Sequence, residues 1–401
     1  MPTATLDARV NRAASLYRIC TRCIMDTSDR EITFNTDGIC NHCRQYDQIA
    51  AERHWTTAER ERRLQQLLKR LREYGRGKEY DCVVGVSGGV DSTYVAYKLA
   101  QFAVRPLAVH LDNGWNSELA VHNIERVLRT LKIDLYTHVL DWDEFKDLQL
   151  AFLKASVSDA EIPTDHAIFA TLYKVARSHG LKYIINGLNT VTEAVLPGSW
   201  TYGIHDWKYI SNVHKRFGTV KLRTFPHHTR NELLYYEFVL GLHPISLLDY
   251  IPYVKQEAMN ILQNKLGWQY YGGKHYESIY TRFFQGYILP RKFGIDKRRA
   301  HFSNLICSGQ MTRDTALEEM KNDPYPEAMM QEDRDYVKKK LGLTEAEFEQ
   351  IMALPVKTYR DYPNYEQRTW VDPLRDTGLF LAKQTWRMSR RLRGLPLRNR
   401  L

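Results

Sequence analysis

The chain has 401 residues, 43% hydrophobic and 12% aromatic, enough to bury the core of one large domain with an appendage or of two modest domains. Its formal charge of +10 sets 57 Lys and Arg against 47 Asp and Glu, and seven of those cations lie between Lys383 and Leu401, where no acid stands. Such a composition excludes a disordered chain, while the polar start and the lack of an apolar run of about 18 residues exclude a signal peptide and a spanning helix, so a cytoplasmic protein is expected. The basic balance belongs to the tail (Lys383, Arg387, Arg390, Arg391, Arg393, Arg398, Arg400), which argues against a nucleic-acid-binding body. That tail suits docking on its own domain, an acidic partner or an anionic membrane surface.

Residues 18–47 form the first unit. Four of the six cysteines lie here, in the knuckles Cys20-Thr-Arg-Cys23 and Cys40-Asn-His-Cys43. Two C-x-x-C knuckles at this separation offer four thiolates to one tetrahedral ion, the pattern of a zinc ribbon. Two disulfides, disfavoured in a reducing compartment, and an iron–sulfur cluster are the competing uses. A closed four-thiolate site has no open position for substrate, so the Zn²⁺ is structural, and His42 is surplus to it. Residues 52–77 read as a linker helix. Leu64, Leu67, Leu68 and Leu71 recur on one face, Thr56 and Glu59 have the spacing of a capping box, and Gly75 and Gly77 end the helix.

From 78 to 220 the pattern alternates. Strands are expected at 81–86, 106–111, 135–140 and 182–186, with helices at 92–100, 117–131, 143–155 and 166–179 between them. Strands alternating with amphipathic helices make an α/β domain with a parallel sheet, whose ligands bind at the carboxyl ends of the strands. Beyond about 220 this rhythm fades into an aromatic-rich, mainly helical region, 221–370, followed by the basic tail, 371–401. No internal repeat is visible.

The first strand runs into Ser87-Gly88-Gly89-Val90-Asp91-Ser92 and then a helix. Paired glycines let the backbone approach an anion, and the first amides of the helix point at the same spot. Ser87 and Ser92 can add hydroxyl donors. Asp91 facing phosphate makes sense if it holds Mg²⁺. An ordinary strand-to-helix turn is the bland alternative, but the full pattern is far more specific than a bare Gly-Gly. It lacks the Lys of a kinase or motor-type loop.

This turn resembles that of the PP-loop ATP pyrophosphatase superfamily (adenine nucleotide alpha hydrolase-like). The resemblance implies that Ser87, Gly88, Gly89 and Ser92 hold the pyrophosphate of ATP and that Asp91 serves Mg²⁺. The segment Gly187-Leu-Asn-Thr-Val-Thr-Glu193 resembles, more loosely, a metal-site segment of NAD synthetases, and this implies Glu193 as a second magnesium ligand; a surface Glu after a turn is the alternative. Asp112, ending a strand, falls where the nucleoside should lie, unless it caps the following helix.

Residues 267–301 pack aromatic, basic and Gly residues together, suiting sugar faces, phosphates and carboxylates. Some of Lys274, His275, Glu277, Arg282, Lys292 and Arg298 are expected to line a pocket, while many of the aromatic residues are core. Taken with the knuckles, the turn, "PTDHAIFA" (163–170), "GLNTVTEAVLPGSW" (187–200) and "LDYIPYVKQEA" (248–258), this block resembles the N-acetyl sugar amidotransferases of bacterial surface-polysaccharide and nonulosonic-acid pathways, over about Tyr17 to Tyr365.

That resemblance implies ATP-dependent conversion of an acetamido group on a sugar nucleotide to an acetamidino group. Ammonia would come from a glutaminase subunit and an ammonia-conducting subunit like the histidine-biosynthesis pair. Asp165 and His166 would orient the acetamido group or relay a proton, helix capping by Thr164 or Asp165 being the equal alternative. The competing class is a PP-loop tRNA-modifying enzyme of the thiolase type, which would need RNA-binding surface and a pair of active-site cysteines.

Overall fold

A computed structural model describes residues 17–53 and 55–367; the basic tail expected at 371–401 lies outside the described residues. In chain order the elements are α1 (Asn41–Arg53), α2 (Thr57–Tyr74), β1 (Cys82–Gly85), α3 (Val90–Gln101), β2 (Pro106–Asp112), α4 (Glu118–Leu131), β3 (Leu135–Val139), α5 (Trp142–Ala155), α6 (Ile162–Ser178) and β4 (Tyr183–Asn186). Then come α7 (Thr190–Glu193), α8 (Trp207–Phe217), α9 (Arg230–Leu234), β5 (His243–Ser246), α10 (Lys255–Leu266), α11 (Ile279–Phe283), α12 (Lys297–Cys307), α13 (Arg313–Glu319), α14 (Glu327–Leu341) and α15 (Glu345–Ala353). Two compact units result, and neither is continuous in sequence. The first gathers 17–53, 189–202 and 279–356; the second gathers 55–188, 203–278 and 357–367.

The second unit holds one parallel sheet in the order β3-β2-β1-β4-β5. The chain steps outward from β1 to β2 and β3, then returns to lay β4 on the other side of β1. The reversal lies between β1 and β4, the place where open α/β sheets bind ligands at their carboxyl ends. The sequence shows the first four strands and not β5. Its four residues, His-Pro-Ile-Ser, are too few for periodicity, and Pro244 argues against a strand unless it lies at a sheet edge, where β5 is found.

Strand β2 is buried along nearly its whole length, and α6 packs over β1 and β2. Val83, Leu107, Val109, Leu172, Tyr173 and Ile184 form the centre of that core. Each such aliphatic side chain contributes roughly 1.5–3 kcal/mol by leaving water. The predicted leucine face of α2 is buried at all four positions. Thr56 accepts from the Glu59 amide as expected, but the Glu59 carboxylate turns to Arg62 and Arg63 instead of closing the box. On α5, Glu144 accepts backbone N–H groups from Arg223, Thr224 and Phe225, tying down an otherwise irregular strap.

In the first unit α12 packs against α1 and α7. Asn304 of α12 is buried and bonds both the amide and the carbonyl of Val195, which fixes the segment following α7. The helix α11 passes into a π-helical stretch, Phe284–Phe293, that carries Pro290. No helix among the described residues is long and apolar enough to cross a membrane.

Candidate active site and candidate metal centre

The turn between β1 and α3 sits at the sheet's point of reversal. Gly88 has φ of +83°, and a Cβ there would stand 2.9 Å from the Tyr271 hydroxyl and 3.1 Å from the Ala120 carbonyl. Trp268 Nε1 and Tyr271 Oη both donate to the Gly88 carbonyl, at 2.9 and 2.8 Å, and pin the turn. Gly89 is the N-cap of α3 and supplies no side-chain acceptor, so the first amides of a twelve-residue helix are left for an external anion. The Ser87 and Ser92 hydroxyls lie 3.2 Å apart beside them. Gly187, just past β4, comes so close that a Cβ would stand 2.8 Å from the Ser92 backbone nitrogen. Two strand ends therefore meet at this turn, and only glycine permits it.

Asp91 lies in the first turn of α3, where one carboxylate oxygen accepts from the Tyr253 hydroxyl. A carboxylate beside an anion-binding turn fits a hard, oxygen-seeking cation such as Mg²⁺. Glu277 approaches the same turn, its Oε1 3.1 Å from the position of a Gly89 Cβ and 3.6 Å from His275 Nδ1. Burial raises the Glu277 carboxyl, but His275 and Lys274 outweigh it and leave the pKa below the usual value. Glu277 is held there by its own carbonyl, which accepts the Ser117 amide at 2.9 Å.

Asp112 ends β2, and its Oδ1 accepts from Gly114 N at 2.8 Å and from Asn116 Nδ2 at 3.2 Å. It shapes that loop; the cap of α4 is Ser117, not Asp112. Neither Thr164 nor Asp165 caps α6, whose N-cap is Glu161, and Asp165 is exposed. His166 is fully buried, with Nδ1 donating to the Ile204 carbonyl at 2.7 Å and Nε2 facing the His228 amide at 3.3 Å. With both ring nitrogens engaged by the protein, it has no free position from which to relay a proton to a ligand, which corrects the expected role.

The same contacts give a pH dependence. Burial, then the neighbouring histidines, lowers His166 and His228 to about 3. The unfolded rings gain protons as pH falls through about 6.5, while the folded ones stay neutral until about 3. The stability from both rings is therefore complete above pH 6.5 and is lost progressively toward pH 3. Between pH 6 and 5 each ring should contribute a slope of about 1.4 kcal/mol per pH unit. Denaturant titrations across that range should show the slope reduced by about one proton in His228→Asn; an unchanged slope would contradict this account.

The first unit brings the four predicted cysteines together, all fully buried, with sulfurs within 4.8 Å of one another. Cys20 and Cys43 are 3.8 Å apart, and Cys23 and Cys40 are 3.7 Å apart. A tetrahedral ion with sulfur at about 2.3 Å requires sulfur separations of about 3.8 Å. Amides of Arg22, Cys23 and Cys40 point at Cys20 Sγ, as donors to a thiolate would. The donor set fits Zn²⁺. Cys82 is buried in β1, and burial pushes its thiol up. Cys307, which appears isolated in sequence, lies 3.8 Å from Cys43.

Residues 277–375 match the family model described as "LPS biosynthesis protein WbpG-like, C-terminal domain". These residues are similar to that domain over about a quarter of the chain. No curated protein matches the chain. Similar solved structures include an NMN synthetase from Francisella tularensis, 16% identical, covering 51% of this chain and 93% of that one with a TM-score of 0.28. Another is an NH3-dependent NAD synthetase from Campylobacter jejuni, 14% identical, covering 71% and 97% with a TM-score of 0.28. At such scores the fold rests on the strand order and the turn alone.

Within the WbpG-like region, three expected substrate residues serve the protein instead. Arg282 makes two bonds of 2.6 Å to Asp333, and Arg298 is taken by Asp296 and the Asn322 carbonyl. Lys292 donates to the carbonyls of Ile351, Met352 and Leu354 at the end of α15, and burial lowers it to about 8. His275 and Glu277 belong to the second unit, with Glu277 against the turn, and Lys274 precedes them in the same loop. Glu193 ends α7 in the first unit, whereas Asp91 is in the second. The role of Tyr253, Trp268 and Tyr271 in setting the turn has no local sequence signal, because more than 160 residues separate each from its contact.

Proposed function

We propose that this chain is an ATP-dependent amidotransferase that converts an acetamido group of a nucleotide-linked sugar to an acetamidino group. The observation that carries the reading is the Ser87–Ser92 turn, open to an anion at the sheet's point of reversal, in a chain whose carboxyl-terminal part is WbpG-like. An amide carbonyl is a poor electrophile, and its oxygen cannot leave as oxide. Attack of that oxygen on the α-phosphorus of ATP expels pyrophosphate and makes AMP the leaving group. Ammonia then adds to the carbon, AMP departs, and loss of a proton leaves the amidine.

Ser87, Gly88, Gly89 and Ser92 would hold the departing pyrophosphate, a preorganised electrostatic role needing no covalent protein intermediate. Mg²⁺ would neutralise charge on the phosphates, with Asp91 as its ligand from the turn. Glutamine-derived ammonia would arrive from a partner glutaminase and an ammonia-conducting subunit. The tRNA-thiolation alternative needs a pair of active-site thiols. Cys82 is buried and Cys307 adjoins the four-cysteine cluster, so nothing favours that alternative.

The test is to offer diacetamido sugar nucleotides with ATP and ammonium and to follow products by mass spectrometry. Replacing C=O by C=NH lowers the sugar mass by about one dalton and adds a cation near neutral pH. AMP and pyrophosphate should appear in equal amounts with the amidine. ADP and phosphate, or an unchanged sugar with every candidate, would overturn the reading.

A further inference from the structure

The first unit contains a fifth cysteine that a structural metal site does not need. Cys307 is the last residue of α12, and Cys43 lies in the first turn of α1, the helix against which α12 packs. Their sulfurs are 3.8 Å apart, the same distance that separates Cys20 from Cys43 inside the cluster. Cys43 therefore has a sulfur neighbour on two sides. The four cluster cysteines are fully buried, while Cys307 is partly exposed.

The approach is built and not incidental. Ser303 stands one helical turn before Cys307 on the same face of α12, and its hydroxyl accepts the Ile24 amide at 3.3 Å, one residue beyond the first knuckle. From α13, Arg313 donates to the carbonyls of Cys20 and Cys23, at 3.0 Å each. These bonds hold the first knuckle against the α12–α13 pair that carries Cys307. A disulfide needs sulfurs at about 2.05 Å, so the pair must close by roughly 1.7 Å.

We propose that Cys307 and Cys43 form a reversible disulfide under peroxide, opening the four-sulfur site and releasing its zinc. Peroxide oxidises the Cys307 thiol to a sulfenic acid, and one water leaves. The Cys43 sulfur then attacks the sulfenic sulfur; the S–S bond forms, the S–O bond breaks, and the oxygen departs with a proton as a second water. The two sulfurs supply the two electrons that reduce the peroxide. With Cys43 in the disulfide, only Cys20, Cys23 and Cys40 would remain to hold a divalent zinc, too few for a closed structural site, and no change of the metal's oxidation state is needed. A dithiol reductant with added zinc reverses the change.

The test treats the purified full chain with hydrogen peroxide and follows zinc with a chromogenic chelator, then maps disulfides in a non-reducing digest. The expected result is a peptide pair joining Cys43 to Cys307, with zinc release slowed about tenfold or more in Cys307→Ser at the same peroxide. Cys307→Ala serves equally if the serine variant folds poorly, and the mapping on the unaltered chain needs no variant. Release from Cys307→Ser at the unaltered rate would overturn the proposal. So would disulfides confined to Cys20–Cys23 and Cys40–Cys43 with Cys307 left unpaired.

Discussion

Cys20→Ser is expected to lose the metal and lower the melting temperature by about 10 °C or more. Residues 17–40 hold no helix, and their pairing is limited to isolated bridges such as Ile19 with Asp26 and Phe34 with Cys40. Their buried side chains are three of the four cysteines with Ile24, Met25, Asp26 and Asp29, so little apolar packing would replace a lost ligand. The arrangement of Cys20 is also the most connected, since three backbone amides point at its sulfur. Removing it leaves three thiolates and those amides without their acceptor. Metal analysis and thermal melts of Cys20→Ser beside Cys82→Ser would decide the matter, since Cys82, in β1, is not one of the four clustered cysteines and its variant should keep the metal. A metal-free Cys20→Ser chain with an unchanged melt would refute the structural role.

Asp91→Asn should cut AMP and pyrophosphate release by about 100- to 1,000-fold, equivalent to roughly 3–4 kcal/mol of lost transition-state stabilisation. The substitution keeps an oxygen that can accept from the Tyr253 hydroxyl, so the first turn of α3 retains its contact and the fold should melt normally. What it removes is the negative charge that a divalent cation requires beside the phosphates. Titration of the variant with Mn²⁺ and pyrophosphate should show weaker metal binding at unchanged stability. Turnover within tenfold of the unaltered chain would exclude Asp91 from the metal site.

Much of the fold and of the two centres is legible in the sequence, and the particular residues show why. The leucines of α2 are read from spacing alone because a helix face repeats every few residues. The Ser87–Ser92 turn is equally local, since the anion-binding amides belong to the very residues that identify it. The His275 and Glu277 assignment gains from the structure a location, Glu277 against Gly89, that their neighbours in sequence could not supply. For Arg282, Lys292 and Arg298 the residue type suggested a ligand, but partners between 2 and 62 residues away satisfy them within the protein.

By itself the sequence determined the strand–turn–helix that presents Gly88 and Gly89, the four-thiolate donor set, and the alternation that makes a parallel sheet. Each is encoded by residues close enough in the chain for spacing to carry the geometry. Only the tertiary structure decided that β5 completes the sheet, that His166 is enclosed by Ile204 and His228, and that Gly187 must be glycine to reach Ser92. It alone brought Cys307 across 264 residues to Cys43. Side-chain chemistry states what a residue can do; which partner it meets depends on long-range packing, where burial and close approach outweigh local preference.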